Sequence, residues 1–272
     1  MIHFESEKIS PAITRIRDGS DVCEYLIEGN ERAALIDTGY GIGDLKTYVE
    51  TLTEKPYEVF VTHGHVDHAA GAYQFPAVRM NPADIEVADR HCTLLFRKEI
   101  VASNTKLKLS EEDFLPQRRE PFTALEDGEV FDLGGVTLRW IHAPGHTKGT
   151  MVPLVEEERT ILFGDACGVG VLLALPESSS VEEYLESLKK IQEFEPMYDT
   201  VLRQHGTCCS TKKVLEDNIE NCKAILAGTD DKVLAILMGK PCRRARAVDP
   251  ATGGRLDGRE GNILYDPERV RR

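Results

Sequence analysis

A six-residue run, His63-Gly64-His65-Val66-Asp67-His68, holds four side chains that can bind a metal ion. The chain has eight histidines, and three of them fall within this run. Imidazole nitrogens and carboxylate oxygens are ligands that zinc uses in catalytic sites, where one position stays open for water. We therefore interpret the run as part of a metal site. A polar loop that holds these histidines by chance is the alternative.

The surroundings of the run favour metal binding. It follows an apolar stretch, residues 58–62, that is typical of a buried strand, and it precedes residues 69–73, which resemble the start of a helix. A turn between the two elements can direct the first two histidines to one metal and the last two ligands to another. A continuous helix would not do so, because its facing residues are three or four positions apart.

Three further candidates follow in the chain: His146, Asp165 and His205. Taken singly, each histidine could belong to a surface loop, and the aspartate could cap a turn. Together with the run they supply seven potential ligands, and two neighbouring metals need about seven. This set predicts a metal-dependent hydrolase.

The order of these segments resembles that of the metallo-β-lactamase-fold superfamily, whose signature is HxHxDH. The resemblance covers roughly residues 10–230. Beside the histidine run, the matching segments are Asp37-Thr38-Gly39, Pro144-Gly145-His146-Thr147-Lys148-Gly149-Thr150, Gly164-Asp165 and Gln204-His205-Gly206. The fold that the resemblance implies is α/β, a four-layer αββα sandwich of the metallo-β-lactamase type with the metals at one edge of two sheets.

The resemblance also implies roles for single residues. It assigns two sets of ligands: His63, His65 and His146 to one metal, and Asp67, His68 and His205 to the other. Asp165 would bridge the metals together with a water or hydroxide. Asp37 would lie behind the ligands and orient a histidine through its second ring nitrogen, although an aspartate in a turn before a glycine is an alternative.

The cofactor expected on this basis is zinc, two ions per chain, with iron or manganese as other options. A zinc-bound water can have a pKa of roughly 7, so hydroxide is available at neutral pH. With Asp67 and Asp165 beside the nucleophile, we expect cleavage of an ester, thioester or lactone of a small molecule. Two alternatives stay open: a persulfide dioxygenase with a single iron, which would need fewer ligands, and a metal-bound binding or sensor protein without turnover.

The ligands run from residue 63 to residue 205, so no cut between them leaves an intact site. We therefore predict one domain at residues 1–235. Residues 82–121 are expected to form a helical lid insertion, in which a cation could hold a substrate carboxylate or simply face solvent. Residues 236–272 are expected to be a C-terminal tail, or an arm that packs over a neighbouring subunit of a homodimer.

Composition agrees with a cytoplasmic enzyme that acts on a small molecule. The formal net charge of −13 opposes binding to nucleic acid and to anionic membranes. No apolar stretch reaches the length of a membrane span, and the first residues lack the pattern of a signal peptide. The seven cysteines are expected to be thiols.

Hydrophobic patterns predict an alternation of strands and helices. We predict strands near residues 12–16, 24–28, 32–36, 58–62, 78–81, 130–133, 136–141, 151–155, 160–163 and 200–202. We predict helices near residues 180–194 and 211–227.

Overall fold

The computed structural model describes residues 2–272, which divide into two compact units. The first unit contains the chain up to Trp140, together with Val155–Glu158 and Gln204–Cys208. The second contains Ile141–Leu154, Arg159–Arg203 and Cys209–Arg272. Each unit combines β-sheet with helices around its own apolar core, so the predicted α/β class is confirmed.

A seven-stranded sheet is the centre of the first unit. The elements of the first unit are β1 (Glu5–Lys8), β2 (Ile13–Arg17), β3 (Cys23–Glu28), β4 (Ala33–Ile36), α1 (Leu45–Leu52), β5 (Tyr57–Phe60), α2 (Val66–Ala69), β6 (Arg79–Met80), α3 (Ile85–His91), α4 (Leu94–Asn104), β7 (Thr123–Ala124), β8 (Val130–Asp132) and β9 (Thr137–His142), whose last two residues enter the second unit. Strands β1 to β7 follow one another in chain order. The pairs from β1 to β4 are antiparallel, and those from β4 to β7 are parallel.

The parallel pairing of β4 and β5 determines where the polar segments of the first unit lie. Carboxyl ends of parallel strands share one edge of a sheet, so the loops that begin at Asp37 and at Val61 start side by side. The Asp37 amide donates to the Phe60 carbonyl at 2.8 Å, which continues the ladder by one residue. Behind this edge, Leu35 and Val59 pack with Val49 of α1 in the core. Burial of each such side chain contributes about 1.5–3 kcal/mol.

Helices α3 and α4 belong to residues 82–121, the segment predicted as a lid. The structure uses two of its buried arginines for folding. Arg97 donates to the carbonyls of Gly41 and Leu115, at 3.3 and 2.5 Å. Arg118 donates to the carbonyls of Ala72 and Phe75, at 3.0 and 2.5 Å. These two guanidinium groups therefore connect backbone segments of the fold. The other arginine and lysine side chains of residues 82–121 are exposed.

The second unit contains two groups of strands and two long helices. Its elements are β10 (Met151–Val155), β11 (Thr160–Leu162), β12 (Val171–Leu173), α5 (Val181–Glu193), β13 (Thr200–Leu202), β14 (Cys209–Ser210), α6 (Lys213–Ala227), β15 (Val233–Leu237), β16 (Lys240–Arg244) and β17 (Ile263–Tyr265). One group has the order β14-β13-β11-β10, and the other is a four-stranded sheet with the order β12-β17-β16-β15. A capping box between Ser180 and Glu183 begins α5.

The C-terminal residues, which we predicted as a tail or an arm, contribute the end of β15 and all of β16 and β17 to the second unit. Strand β17 pairs in parallel with β12, with Ile263 opposite Val171, and it pairs antiparallel with β16. Ile263 and Tyr265 are buried in the same core as Leu188 of α5. The residues beyond 236 therefore share the core of this unit. None of the helices among the described residues is long and apolar enough to cross a membrane.

Candidate metal centre

The histidine run begins in the turn after β5, as the sequence predicted, but the helix starts earlier than predicted, so that Val66, Asp67 and His68 already belong to α2. Gly64 donates its amide to the Asp84 carboxylate at 2.8 Å. A Cβ atom at this position would lie 2.5 Å from the Asp84 carbonyl oxygen, so only glycine fits. His65 then precedes α2, and Asp67 and His68 lie in the first turn of this short helix. The turn therefore presents four candidate ligands within one compact segment.

Asp67, His68 and His205 form a cluster in the first unit. Their ligand atoms lie within 4.8 Å of one another. The Nε2 atoms of His68 and His205 are 3.3 Å apart. Asp67 Oδ2 lies 3.2 Å from His205 Nε2 and 3.6 Å from His68 Nε2. The structure thus brings together two imidazoles and one carboxylate that the resemblance assigns to one metal.

Asp37 lies behind this cluster and is fully buried. Its Oδ2 atom accepts hydrogen bonds from His68 Nδ1 at 2.8 Å and from Gln204 Nε2 at 3.0 Å. Thr62 donates to it twice, through its amide at 2.7 Å and its hydroxyl at 2.9 Å. The Asp37 backbone has φ of 65°, a costly conformation for a side chain with Cβ. Such strain is typical of a residue whose side chain must point in one direction.

The Asp37 carboxylate also determines the proton position on a second histidine. Because the Thr62 hydroxyl donates to Asp37, its oxygen accepts from His63 Nδ1 at 3.1 Å. This leaves the lone pair of His63 on Nε2, which lies 3.1 Å from Nδ1 of His65. The His65 ring stacks on His91 with centroids 5.0 Å apart and an interplanar angle of 9°. The two histidines therefore turn nitrogen atoms toward one point.

His205 is held by the backbone of the loop before β3. Its Nδ1 atom lies 3.1 Å from the Asp21 carbonyl oxygen and 3.8 Å from the Asp21 carboxylate. The Tyr40 hydroxyl donates to that carboxylate at 3.1 Å. A bridge between Val22 and His205 fixes the backbone on the other side. His205 therefore has its proton on Nδ1 and presents Nε2 to Asp67 and His68.

These hydrogen bonds provide a test of whether a cation fits. His68 and His205 both use Nδ1 as donor, so in their neutral, metal-binding forms both Nε2 atoms carry lone pairs. With the Asp67 carboxylate, three acceptors face one another, and this arrangement is repulsive unless a cation lies among them. Tetrahedral ligands at the zinc distances of about 2.0–2.2 Å are about 3.3–3.6 Å apart. The observed separations of 3.2, 3.3 and 3.6 Å agree with that geometry.

The protonation state of Asp67 also suits metal binding. Burial raises the pKa of its carboxyl group, but the positive charge of His68 and a hydrogen bond from His205, when these rings are protonated, lower the pKa by more. The result is a pKa well below the usual range. Asp67 is therefore a carboxylate at neutral pH, the form that binds a metal.

His146 and Asp165 lie together in the second unit. His146 Nδ1 is 3.0 Å from the Leu172 carbonyl oxygen, so this nitrogen is the donor. The other nitrogen, Nε2, lies 3.3 Å from Asp165 Oδ2. The Ser178 hydroxyl donates to the His146 carbonyl at 2.8 Å and holds the loop. This pair repeats the pattern of the first unit, an acceptor nitrogen beside a carboxylate oxygen.

Several supporting residues were not predicted from the sequence. They are Thr62 and Gln204, which bind Asp37; Asp84, which holds Gly64; Asp21 and Tyr40, which hold His205; and His91, which stacks on His65. Thr62 and Gln204 directly adjoin a candidate ligand in the chain, and this adjacency is the only signal in the sequence that could have found them.

A family model for the metallo-beta-lactamase superfamily matches residues 25–205, which include all seven candidate ligands. Among curated proteins, the chain is 30% identical over 187 residues to the acyl-coenzyme A thioesterase MBLAC2 of Homo sapiens. It is 28% identical over 202 residues to the atrochrysone carboxyl ACP thioesterase AgnL7 of Paecilomyces divaricatus. The matches cover 62% and 68% of this chain, and 66% and 53% of the respective relatives.

Solved structures show the same fold at low sequence identity. A metallo-beta-lactamase from Pontibacter korlensis aligns with a TM-score of 0.57 and 18% identity, over 80% of this chain and 98% of that protein. The sec-alkylsulfatase Pisa1 from Pseudomonas sp. aligns with a TM-score of 0.62 and 14% identity, over 84% of this chain and 42% of that protein. The chain belongs to the metallo-beta-lactamase superfamily.

Proposed function

We propose that the protein is a dinuclear zinc hydrolase that cleaves a thioester of a small acyl compound. The observation that supports the metal part is the cluster of Asp67, His68 and His205, whose three acceptor atoms face one another. The thioester part is supported by two curated relatives, one animal and one fungal, which are both named as thioesterases.

We assign all seven candidate ligands to this centre. Five of them lie in the first unit: His63, His65, Asp67, His68 and His205. The other two, His146 and Asp165, lie in the second unit. We assign His146 to the metal of His63 and His65, and Asp165 to a bridging position. Zinc is preferred over iron or manganese because imidazoles dominate the ligand set and their spacing fits its tetrahedral bonds.

The side chains of the chain have distinct tasks in this proposal. Bound zinc would lower the pKa of a coordinated water to roughly 7 and polarise the substrate carbonyl. Asp37 keeps the lone pairs of His63 and His68 directed at the metals through the bonds described above. The ionised Asp67 can accept a hydrogen bond from the attacking water and so orient it. A thiolate is a good leaving group, and the reaction therefore needs no separate general acid.

The test is a comparison of substrates that differ in one atom. Zinc-loaded protein is incubated with acyl-coenzyme A thioesters of increasing chain length, and free thiol is measured with a chromogenic thiol reagent. Matched oxygen esters and a lactone series are assayed in parallel by acid release. We expect turnover of thioesters, abolished by His68→Ala and unaffected by His3→Ala, which changes an exposed histidine of the N-terminal segment.

Three outcomes would contradict parts of this proposal. Turnover of esters or lactones, but not of thioesters, would refute the proposed substrate class, although the protein would still be a hydrolase. One iron per chain, together with oxygen consumption in the presence of persulfides, would replace the hydrolase by the dioxygenase alternative. Metal binding without turnover of any of these substrates would favour the sensor alternative.

We propose a reducing compartment, the cytoplasm, as the site of action. The described residues contain no disulfide. Cys23 and Cys208 are close, with sulfur atoms 3.4 Å apart, yet they form no disulfide. Protein thiols persist in compartments where glutathione and thioredoxin keep them reduced. Fractionation of cells with an antibody against the protein tests this location.

A further inference from the structure

One segment has a charge opposite to that of the whole chain. We call residues 232–244 the basic hairpin, which consists of β15, a turn, β16 and the preceding Lys232. It contains four basic residues and no acidic residue, whereas the chain has a net charge of −13. Lys232, Lys240, Arg243 and Arg244 form no ion pair among the residues that the structure describes. Their charges are therefore available to an external partner.

The same hairpin exposes a row of large apolar side chains. Leu234, Ile236 and Met238 are 64%, 64% and 62% exposed. Leu234 and Ile236 alternate along β15 and share one face, because strand side chains repeat every two residues. The register places Arg243 opposite Leu234 and Pro241 opposite Ile236, so a cation borders this face. The apolar row and Arg243 therefore share one face, and Lys240 directly follows the turn at the tip of the hairpin.

The turn of the hairpin holds Met238 in a costly conformation. Leu237 pairs with Lys240, so the turn has two residues, Met238 with φ of 48° and Gly239 with φ of 76°. Two positive φ angles define a type I′ turn, for which Asn-Gly is the favoured sequence. Methionine is unfavourable at its first position. A large apolar side chain at an exposed and strained tip indicates a binding role, because folding alone would favour asparagine.

The chemistry of this surface distinguishes between partners. β15 is an edge strand of its sheet, so a second copy could pair with it. Such pairing would bring two segments together that each have four basic and no acidic residues. A nucleic acid would satisfy the cations, but the hairpin has no aromatic ring on which bases could stack. An anionic lipid surface satisfies both features, since it offers phosphates beside an apolar layer.

We propose that the basic hairpin binds the surface of an anionic lipid bilayer. Leu234, Ile236 and Met238 enter the boundary between headgroups and acyl chains, while Lys232, Lys240 and Arg243 contact lipid phosphates. The contact is peripheral. The net negative charge of the chain repels anionic lipid, but salt screens this repulsion beyond about 10 Å, so the nearby basic residues dominate at the surface. This proposal does not depend on the metal centre or on the thioester substrate.

The experiment is co-sedimentation of the full chain with vesicles of phosphatidylcholine alone, and of phosphatidylcholine mixed with phosphatidylglycerol. We expect binding to the mixed vesicles, weakened by salt. Met238→Asn should reduce the partition coefficient about tenfold or more, since it removes an apolar side chain that the bilayer would bury. Lys240→Gln should reduce it about fivefold. Asparagine suits the turn, so Met238→Asn retains the fold.

The control is Leu95→Asn, which replaces an 80% exposed leucine of α4 in the first unit and should leave vesicle binding unchanged. Sedimentation velocity of the same variants measures self-association. The proposal is overturned if the mixed vesicles do not bind the protein, or if the hairpin variants bind as well as the Leu95 control. A dimer that dissociates on Met238→Asn, without vesicle binding, would identify a second copy as the partner and also refute it.

Discussion

A single buried carboxylate organises the histidines of the first unit. Asp37 accepts directly from His68 and, through the Thr62 hydroxyl, determines the proton position on His63. Imidazole binds metal only through an unprotonated nitrogen, so the wrong tautomer would turn an N–H toward the cation. We therefore propose that Asp37 holds two ligands in their binding form before any metal arrives.

Asp37→Asn should weaken metal binding while the fold is retained. Asparagine tolerates the positive φ of this position, but its amide cannot accept all of the hydrogen bonds of the carboxylate. Loss of a partner that orients a ligand typically costs about 10–100-fold in metal affinity. A competition titration with a chromophoric chelator measures this change. Asp199→Asn, in an exposed ion pair with Arg159, is the control and should bind metal like the unmodified protein.

Glu24 is a second buried carboxyl group of the first unit, and it predicts a pH dependence of stability. Burial, followed by the charges of Asp18 and Asp37, raises the pKa of Glu24 well above its usual value. The carboxyl pKa of the unfolded chain is about 4.3. Above this pH, Glu24 keeps its proton in the folded state but loses it on unfolding. Its contribution to stability is therefore complete at low pH and is lost as pH rises toward the raised pKa.

Glu24→Gln should remove this pH dependence. Glutamine has nearly the same shape and never ionises, so the variant should gain stability relative to the unmodified protein as pH rises, by up to about 1.4 kcal/mol per pH unit. Urea unfolding between about pH 6 and about pH 8 measures the difference. Glu54→Gln, at an exposed position, should show no gain. Equal pH slopes for the Glu24 variant and the unmodified protein would contradict the assignment.

At the scale of elements, the turn between β5 and α2 depends on the close approach of Gly64 to α3. A Cβ atom there would lie 2.5 Å from the Asp84 carbonyl and 2.9 Å from the Ala88 amide nitrogen. Both are backbone atoms, which cannot move aside as a flexible side chain can. The histidine run is thus positioned by two elements, the strand before it and the helix that packs against its glycine.

Gly64→Ala should displace the turn and lower both stability and metal affinity. Forced overpacking typically costs about 1–3 kcal/mol, and here it also moves the histidines on either side. Thermal unfolding and zinc titration measure the two effects. Gly170→Ala is the control, because its Cβ would meet no atom within 4 Å and its φ is not positive. A normal zinc affinity for the Gly64 variant would show that the turn does not position the ligands.

Elements with a clear apolar pattern could be predicted from the sequence. Strand β10 occurs at Met151–Val155, the residues for which a strand is predicted. The prediction succeeds because all five side chains are buried, which gives a continuous apolar pattern. Strand β1, Glu5–Lys8, has four exposed side chains and offers no such pattern. Helix α1, Leu45–Leu52, was also missed, because only Leu45 and Val49 mark its buried face.

The candidate site divides in the same way between predictable and unpredictable residues. Ligand types and spacing are visible in the sequence, and the histidine run was found from them. Supporting residues are polar side chains whose function depends on distant partners. Gln204 binds Asp37, which is 167 residues away in the chain, and only its position next to His205 distinguishes it from an ordinary glutamine. The pairing of β4 with β5 must be known before the role of Thr62 can be inferred.

At the scale of the whole molecule, charge and ligands are distributed unevenly. The chain has a net charge of −13, yet the basic hairpin of the second unit has only basic charges. The proposed ligands also divide between the units, with five in the first and two in the second. The dinuclear proposal therefore requires residues of both units, whereas a metal bound by Asp67, His68 and His205 requires only the first.

The most direct measurement is the identity and amount of metal in protein purified without added metal, for the unmodified chain, His68→Ala and His146→Ala. We expect about two zinc ions per chain, and a loss of about one of them in each variant, because each histidine is assigned to a different metal. A single iron per chain that is unaffected by His68→Ala would contradict the dinuclear zinc centre.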